Sequence, residues 1–252
     1  MNQTYHNFDQ ETKGWVDLIH PREPRPELTT QIDTKWLVIG AGYTGLSCAR
    51  RLAELNPTEK IVLLDAREVG QSASGRNSGY AVAHSHFSGG YQKTQLENYQ
   101  RIDRINQSGL KSLKSIIENN QIECDYKDSG IYHLAADKNS SEESDQFVDY
   151  LQKRQIEHIE LSKDQIKIEL GTNWYQKGVK VKDGALVQPA KLVFGLADSL
   201  PSNVELYENT PVLEIDMGRV STIKTPSSIL KAENIIMACN YEPIAKGKLK
   251  QR

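Results

Sequence analysis

The feature that most restricts the folds open to this chain is a GxGxxG run at residues 40–45. It follows an apolar segment, residues 36–39, whose continuous hydrophobicity is typical of a buried parallel strand. Behind it, apolar residues recur at helical spacing over about residues 43–55, which predicts a helix. A second apolar run at 61–64 predicts the next strand. A strand, a helix and a strand within about 30 residues form one βαβ unit.

This arrangement predicts a dinucleotide-binding turn. Gly40 permits a tight turn, Gly42 lets a pyrophosphate approach the backbone, and Gly45 lets the helix pack close to the strand. Asp65 ends the second strand at the spacing of about 20 residues that the fingerprint requires. Its carboxylate can accept hydrogen bonds from ribose hydroxyls and would repel a 2′-phosphate, which disfavours NADP. The alternative is an ordinary strand–turn–helix without a ligand.

The loop at residues 70–79 favours FAD over NAD. A nicotinamide-binding domain normally enters another helix at this point, whereas here small and hydroxyl residues form a surface for a second cofactor segment. Ser72 and Ser74 can donate to phosphate oxygens, and the loop glycines allow close backbone approach. Arg76 either neutralises pyrophosphate charge or makes a structural salt bridge.

Residues 38–54 and 63–80 resemble the FAD-dependent D-amino-acid oxidase/glycine oxidase superfamily, and within it the gamma-glutamylputrescine oxidoreductase-like enzymes. The SGRNSG run at 74–79 is the most specific match, and the resemblance covers about residues 30–252. It implies an α/β fold with a Rossmann-like FAD-binding domain of the glutathione-reductase type and part of a mixed α+β substrate domain.

The resemblance also implies the division of the chain. The FAD-binding domain would be discontinuous and incomplete, built from residues 35–90 and 180–252, and residues 91–179 would form part of the substrate domain. Residues 1–34, which are polar and contain three prolines, are predicted to form an arm on the surface. Because enzymes of the superfamily are usually much longer, the chain is predicted to be truncated and to lack the C-terminal catalytic half. Turnover by this chain alone is therefore not expected.

The family pattern implies three groups of FAD-binding residues. The first meets the pyrophosphate and the adenosine ribose, the second lines the stretch from phosphate to flavin, and the third contacts adenine and closes over the cofactor. With the residues singled out from the sequence itself, the predicted set is Gly40, Gly42, Tyr43, Thr44, Gly45, Asp65, Ala66, Arg67, Ser72, Ala73, Ser74, Gly75, Arg76, Asn77, Ser78, Gly79, Tyr80, Val212, Ala238 and Asn240.

The activity that the resemblance implies is oxidation of the C–N bond of an amine or amino acid, with oxygen or another acceptor taking the electrons. No catalytic residue is predicted. His84 and His86 follow the SGRNSG loop and either face the flavin or are ordinary polar loop residues. Tyr132 and His133, on a predicted strand, either line a substrate pocket or belong to a plain strand surface. Two alternatives remain: a non-catalytic FAD-binding remnant, and an NAD-dependent dehydrogenase.

Composition excludes other classes of function. The net charge is −2 with no basic stripe, which argues against nucleic-acid binding. No apolar run approaches the roughly 20 residues that span a bilayer, and the polar first residues lack a signal sequence, so a cytoplasmic protein is predicted. Cys48, Cys124 and Cys239 lie far apart, which predicts core thiols and neither a disulfide nor a metal site.

The remaining patterns predict further elements. Helices are expected over 93–119 and 142–155, the latter started by a capping box of Ser140 and Glu143, and Pro189 is expected at the first position of another. Short strands are expected at 131–134, 204–207, 212–216, 219–224, 228–231 and 234–238, while 160–182 stays open. Three tryptophans are interpreted as packing residues: Trp15, Trp36 and Trp174.

Overall fold

A computed structural model describes residues 14–84, 96–240 and 249–251. Its contacts divide the chain into two compact units: residues 1–78, 122–124 and 188–252 form the first, and residues 79–121 and 125–187 form the second. The helices are α1 Tyr43–Leu55, α2 Leu96–Asn119, α3 Lys138–Lys153, α4 Lys163–Leu170 and α5 Pro189–Asp198. The strands are β1 Ile32–Ile39, β2 Ile61–Leu64, β3 Tyr80–Val82, β4 Ile131–Ala135, β5 His158–Ser162, β6 Lys177–Val181, β7 Gly184–Leu186, β8 Val204–Tyr207, β9 Glu214–Met217, β10 Ser221–Lys224, β11 Ile229–Met237 and β12 Leu249–Gln251.

The first unit is built on one sheet in which the described strands follow the order β12-β9-β10-β11-β1-β2-β8. Strands β11, β1, β2 and β8 are parallel neighbours, whereas β9, β10 and β11 form an antiparallel meander. The predicted segments 43–55 and 61–64 are confirmed as α1 and β2. All four residues of β2 are buried, as a central parallel strand requires.

The core of the first unit explains why these strands read as continuous apolar runs. Side chains of neighbouring strands, such as Leu37, Val62, Leu64 and Ile223, are completely buried in one hydrophobic cluster. Helix α1 buries its stripe of small and apolar residues. It ends at Leu55, and the C-cap Asn56, just before Pro57, donates its N–H to the Leu52 carbonyl.

The strand register brings the carboxyl ends of the parallel strands to one edge. Ile39 lies opposite both Leu64 and Met237, and Leu64 lies opposite Tyr207. The residues that follow these strands, Gly40, Asp65, Glu208 and Ala238, are therefore neighbours along this edge. In open parallel sheets, ligands bind outside the carboxyl ends of the strands.

The second unit contains two small sheets. Strands β4, β6 and β5 form an antiparallel sheet, and β3 pairs with β7. Helix α3 covers β4 and β6 with a cluster that includes Phe147, Leu151 and Val179. In the described part of the chain, no helix is both long and apolar enough to cross a membrane.

Several predicted boundaries are wrong. Helix α3 starts at Lys138 because Asp137 is its N-cap, and Ser140 completes the capping box from the third helical position. The predicted capping box of Ser140 and Glu143 therefore does not start the helix. The predicted strands 228–231 and 234–238 are one strand, β11, because β1 pairs with it along its length. The open region 160–182 contains most of β5, all of α4, and β6.

The expected surface arm is more firmly packed than its composition suggests. Strand β1 begins at Ile32, inside the segment assigned to the arm, and Leu28 is completely buried in the sheet core. Trp174 is 72% exposed, so its interpretation as a packing residue is wrong. The three cysteines form no disulfide, with Cys124 buried and the other two partly buried.

Candidate dinucleotide-binding site

The turn between β1 and α1 requires its first and third glycines for steric reasons. Gly40 has a φ of +104°, and a Cβ there would lie 2.7 Å from the Ala238 carbonyl oxygen. A Cβ on Gly45 would lie 1.7 Å from the Gly40 carbonyl oxygen. Helix α1 therefore packs closer to the strand ends than any side chain would allow.

Gly42 is different, because a Cβ there would meet no backbone atom within 4 Å. Its nearest neighbour would be the Ser74 hydroxyl oxygen at 2.8 Å. That oxygen accepts a hydrogen bond of 3.0 Å from the Tyr43 N–H in the first turn of α1. The site thus pairs a helix N-terminus with a hydroxyl of the SGRNSG loop, and both groups suit an anionic oxygen.

Asp65 is held at the edge of the sheet by the backbone. One carboxylate oxygen accepts from the Ala41 N–H at 2.6 Å and the other from the Arg67 N–H at 2.9 Å. Burial raises the pKa of Asp65, and these two hydrogen bonds act against that rise. Each oxygen keeps a further lone pair, so the carboxylate can still accept a hydrogen bond from a ligand hydroxyl.

The loop after β2 is folded on itself. Residues Ala73–Gly75 form a short 3-10 helix, and the Asn77 side-chain amide donates to the carbonyls of Ala73 and Ser74 at 3.2 and 2.8 Å. A Cβ on Gly75 would lie 2.0 Å from the Gly70 carbonyl oxygen, so only glycine fits at position 75 without a shift of the backbone. Arg76 is exposed and forms no ion pair with the described residues, so the structure does not provide the structural salt bridge weighed for it.

Tyr43 connects the turn to the rest of the first unit. Its hydroxyl donates to the Pro189 carbonyl at 3.2 Å, at the start of α5. Burial raises the pKa of Tyr43, and a hydrogen bond with the Asn77 side chain opposes that rise. The hydroxyl therefore stays protonated and acts as a donor.

The structure brings most of the predicted residues together in the first unit. Asp65 accepts the Thr210 N–H at its carbonyl, two residues before Val212, and Ala238 donates its N–H to the Ile39 carbonyl. Asn240 follows in the left-handed region with a φ of 55°. The predicted residues in the first unit are Gly40, Gly42, Tyr43, Thr44, Gly45, Asp65, Ala66, Arg67, Ser72, Ala73, Ser74, Gly75, Arg76, Asn77, Ser78, Val212, Ala238 and Asn240. Gly79 and Tyr80 belong to the second unit, where Tyr80 begins β3.

Sequence reasoning missed Glu208. It follows β8 as Asp65 follows β2, and it is completely buried. Both oxygens of its carboxylate accept hydrogen bonds from one Arg22 nitrogen, at 2.8 and 2.7 Å. The carboxylate also accepts a hydrogen bond from the Val69 N–H at 2.5 Å. Its position directly after the predicted strand at 204–207 is a signal that could have identified it.

The histidines singled out from the sequence lie apart from this turn along the chain. His84 is buried in the second unit, with Nδ1 3.8 Å from Asp103 and Nε2 3.5 Å from Asp183. His86 lies outside the described residues. His133 packs on the Phe147 ring at 4.6 Å, and the described residues include no His, Cys, Asp and Glu group arranged to hold a metal.

Tyr132 takes part in contacts of its own unit. Its hydroxyl donates to Glu169 at 2.8 Å, and the Lys180 ammonium lies over its ring at 4.7 Å from the centroid. Both contacts belong to strand and helix surfaces of the second unit. They fit the interpretation of Tyr132 as part of a plain strand surface.

Comparison with known proteins identifies the family. The model of the DAO family, described as FAD dependent oxidoreductase, matches residues 35–250. The chain belongs to the DAO family. Its cofactor is FAD, and the expected α/β fold is confirmed, because the structural neighbours are DAO-fold proteins. The NAD-dependent dehydrogenase, kept as an alternative in the sequence analysis, is thereby set aside.

Two sequence relatives are named as oxidoreductases. Gamma-glutamylputrescine oxidoreductase of Escherichia coli K12 is 28% identical over 222 residues, covering 86% of this chain and 51% of that protein. Probable oxidoreductase OrdL of Haemophilus influenzae is 27% identical over 227 residues, covering 85% of this chain and 51% of that protein. This DAO-family chain spans about half the length of the curated relatives it matches.

Solved structures share the fold at low identity. Glycine oxidase from Geobacillus kaustophilus superposes with a TM-score of 0.67 at 18% identity, covering 82% of this chain and 55% of that one. L-amino acid deaminase from Proteus vulgaris superposes with a TM-score of 0.67 at 16% identity, and the match covers 87% of this chain and 49% of that one. These likenesses show the DAO fold and no more.

Proposed function

We propose that the first unit holds the ADP half of FAD at the carboxyl edge of its parallel strands. The observation that carries this proposal is the turn at Gly42, where, among the described residues, a Cβ would meet the Ser74 side chain and no backbone atom within 4 Å. A pyrophosphate there would meet the N–H groups at the start of α1. Asp65, held at the next strand end, would accept the hydroxyls of the adenosine ribose.

The donor set fits the cofactor. The first turn of α1 presents a partial positive charge, and the loop hydroxyls can donate to phosphate oxygens. Asp65 and Ala66 would meet the ribose, Val212 would contact adenine through its backbone, and Ala238 and Asn240 would close over the cofactor. Loop residues 72–78 of the first unit would line the path from phosphate to flavin.

We further propose that the substrate is an amine or an amino acid whose C–N bond is oxidised. The names of the relatives, gamma-glutamylputrescine oxidoreductase and glycine oxidase, support this class. Bound flavin supplies the acceptor for the hydride that leaves the carbon beside the amine, and the electrons pass on to oxygen or another acceptor. The chain's own residues in the first unit bind and orient that cofactor.

A single-turnover experiment tests the substrate class. The protein is loaded with FAD and titrated anaerobically with small amino acids and gamma-glutamylated polyamines, and the flavin absorbance is recorded. Loss of the oxidised-flavin band on addition of an amine, with a 2-hydroxy acid as the negative control, would support the substrate class and would contradict the expectation that this chain alone does not turn over. If the flavin stays bound and no amine reduces it, the chain binds FAD without amine oxidation.

A matched pair of variants tests the placement of the cofactor. Ser74→Ala removes the hydroxyl beside Gly42 and should weaken FAD binding by about 0.5–1.5 kcal/mol, the net worth of one hydrogen bond. Ser47→Ala, on the exposed side of α1, is the control. Equal FAD affinities for both variants would show that the loop does not contact the cofactor.

A further inference from the structure

The segment at residues 14–28, called the strap below, is fastened to the edge of the sheet that carries the candidate site. It contains three prolines, Pro21, Pro24 and Pro26, which limit the conformations open to the unbound segment and so lower the entropic cost of docking it. Its carboxyl end is fixed by Leu28, which is completely buried and donates its N–H to the Thr210 hydroxyl at 3.1 Å.

The middle of the strap is held by a buried ion pair. Arg22 contacts both carboxylate oxygens of Glu208, and the backbone N–H of Arg25 donates to the same carboxylate. Glu208 also accepts the Val69 N–H. One buried carboxylate therefore joins the strap to the segment that leads from Asp65 into the SGRNSG loop.

Arg22 keeps its positive charge in this partly buried position. Burial lowers its pKa, but the hydrogen bond and charge of Glu208 outweigh burial and raise it above its ordinary value. A second contact to Asp198, at 3.1 Å, orients the guanidinium. The pair is a fixed ionic link, because a buried carboxylate that loses its cation is strongly destabilised.

The start of the strap reaches the loop itself. The Trp15 indole N–H donates to the Asn77 carbonyl at 2.8 Å, and the Gln188 side chain donates to the Trp15 carbonyl at 2.9 Å. Asn77 in turn donates to the Ser74 carbonyl, and the Ser74 hydroxyl accepts from the Tyr43 N–H. A continuous chain of hydrogen bonds thus connects Trp15 with the first turn of α1.

We propose that the strap is a clamp for the cofactor loop, in which Trp15 and Arg22 are positioning residues that slow the release of FAD. This inference rests on the proposed placement of FAD at the Gly40–Gly45 turn. Releasing the cofactor requires the SGRNSG loop to move away from α1. The strap holds the segment before that loop at Val69, through Glu208, and the loop itself at Asn77. Loss of either link should speed release without changing the residues that touch the cofactor.

The test measures FAD release by the recovery of flavin fluorescence after dilution of the loaded 252-residue chain. Trp15→Phe keeps an aromatic ring and removes the N–H donor, so release should be about 3- to 10-fold faster, which corresponds to one lost hydrogen bond. Arg22→Lys keeps the charge but has a single nitrogen, so it cannot hold Glu208 and Asp198 through separate nitrogens as Arg22 does, and a similar or larger increase is expected. Thermal melting of the Trp15→Phe apoprotein separates the two roles. A purely structural role would lower the melting temperature and leave release unchanged, whereas the clamp requires faster release.

Two controls match these variants. Arg25→Gln lies in the same strap and keeps the backbone N–H that binds Glu208, and within the described part of the chain its side chain forms an ion pair only with the exposed Asp198. Trp174→Phe alters a tryptophan that is 72% exposed. Both should release FAD at the wild-type rate. Wild-type release rates in Trp15→Phe and Arg22→Lys would overturn the clamp alone. A wild-type chain that retains no FAD would overturn the proposed site and the clamp with it.

Discussion

Two glycines of the turn should respond differently to the same substitution, because their surroundings differ. In Gly42→Ala the new Cβ would lie 2.8 Å from the Ser74 hydroxyl, which can rotate away at the loss of its bond to Tyr43. The lost hydrogen bond and the poorer N-cap together should lower the free energy of unfolding by about 1–2 kcal/mol. The fold should survive.

FAD affinity should fall much further in that variant. The Cβ would occupy the place where the pyrophosphate approaches the backbone, and loss of two hydrogen bonds to a charged group corresponds to at least about 3 kcal/mol, or roughly 100-fold in Kd. In Gly45→Ala, by contrast, the Cβ would lie 1.7 Å from the Gly40 carbonyl. Helix α1 must then move, and the main loss should be in stability, about 3 kcal/mol.

Fluorescence titration with FAD and urea denaturation of the apoprotein measure the two quantities in both variants. The account expects Gly42→Ala to lose affinity out of proportion to stability and Gly45→Ala to lose stability first. A Gly42→Ala protein that binds FAD within threefold of wild type would refute the reasoning that places the pyrophosphate at this turn.

Three further outcomes are expected. Asp65→Ala should weaken FAD binding by about 1.5–3 kcal/mol at neutral pH. Because burial raises the pKa of Asp65, the difference in FAD affinity between wild type and Asp65→Ala should shrink in titrations at lower pH, where the wild-type carboxyl becomes protonated. Leu64→Ala, in the buried core, should lower the urea-derived free energy of unfolding by about 2–5 kcal/mol, against less than about 0.5 kcal/mol for the exposed Leu55→Ala. Asp137→Ala should cost about 0.5–2 kcal/mol as the loss of an N-cap, and thermal melts of Glu143→Ala should match wild type.

The nucleotide-binding half of the fold could be predicted because its local signals agree. These signals are the buried strand, the glycines and the helical stripe of α1, and all of them lie within about 30 residues. Over such a short segment, the hydrophobic periodicity is enough to predict each helix or strand. The same locality placed Asp65 at the end of β2. Helix α3 was misjudged because Ser140 and Asp137 can both cap, and only the backbone shows that Asp137 accepts the N–H of Ser140.

Long-range pairings could not be predicted from the sequence. Arg22 and Glu208 are separated by 186 residues, and neither lies in a motif that names a partner. The strap has a polar, proline-rich composition that is typical of a surface arm, yet Leu28 is buried. Burial of such a segment depends on the register of β8 with β2, which brings Glu208 beside the loop at Val69.

The central claim is that the first unit binds FAD at the Gly40–Gly45 turn. The most direct measurement is to denature the purified protein, separate the released nucleotide and compare it chromatographically with FAD, FMN and NAD standards. The account predicts FAD from the wild-type chain and a large loss of FAD from Gly42→Val, prepared in the same way. Recovery of a nicotinamide nucleotide alone, or equal FAD content in both proteins, would contradict it.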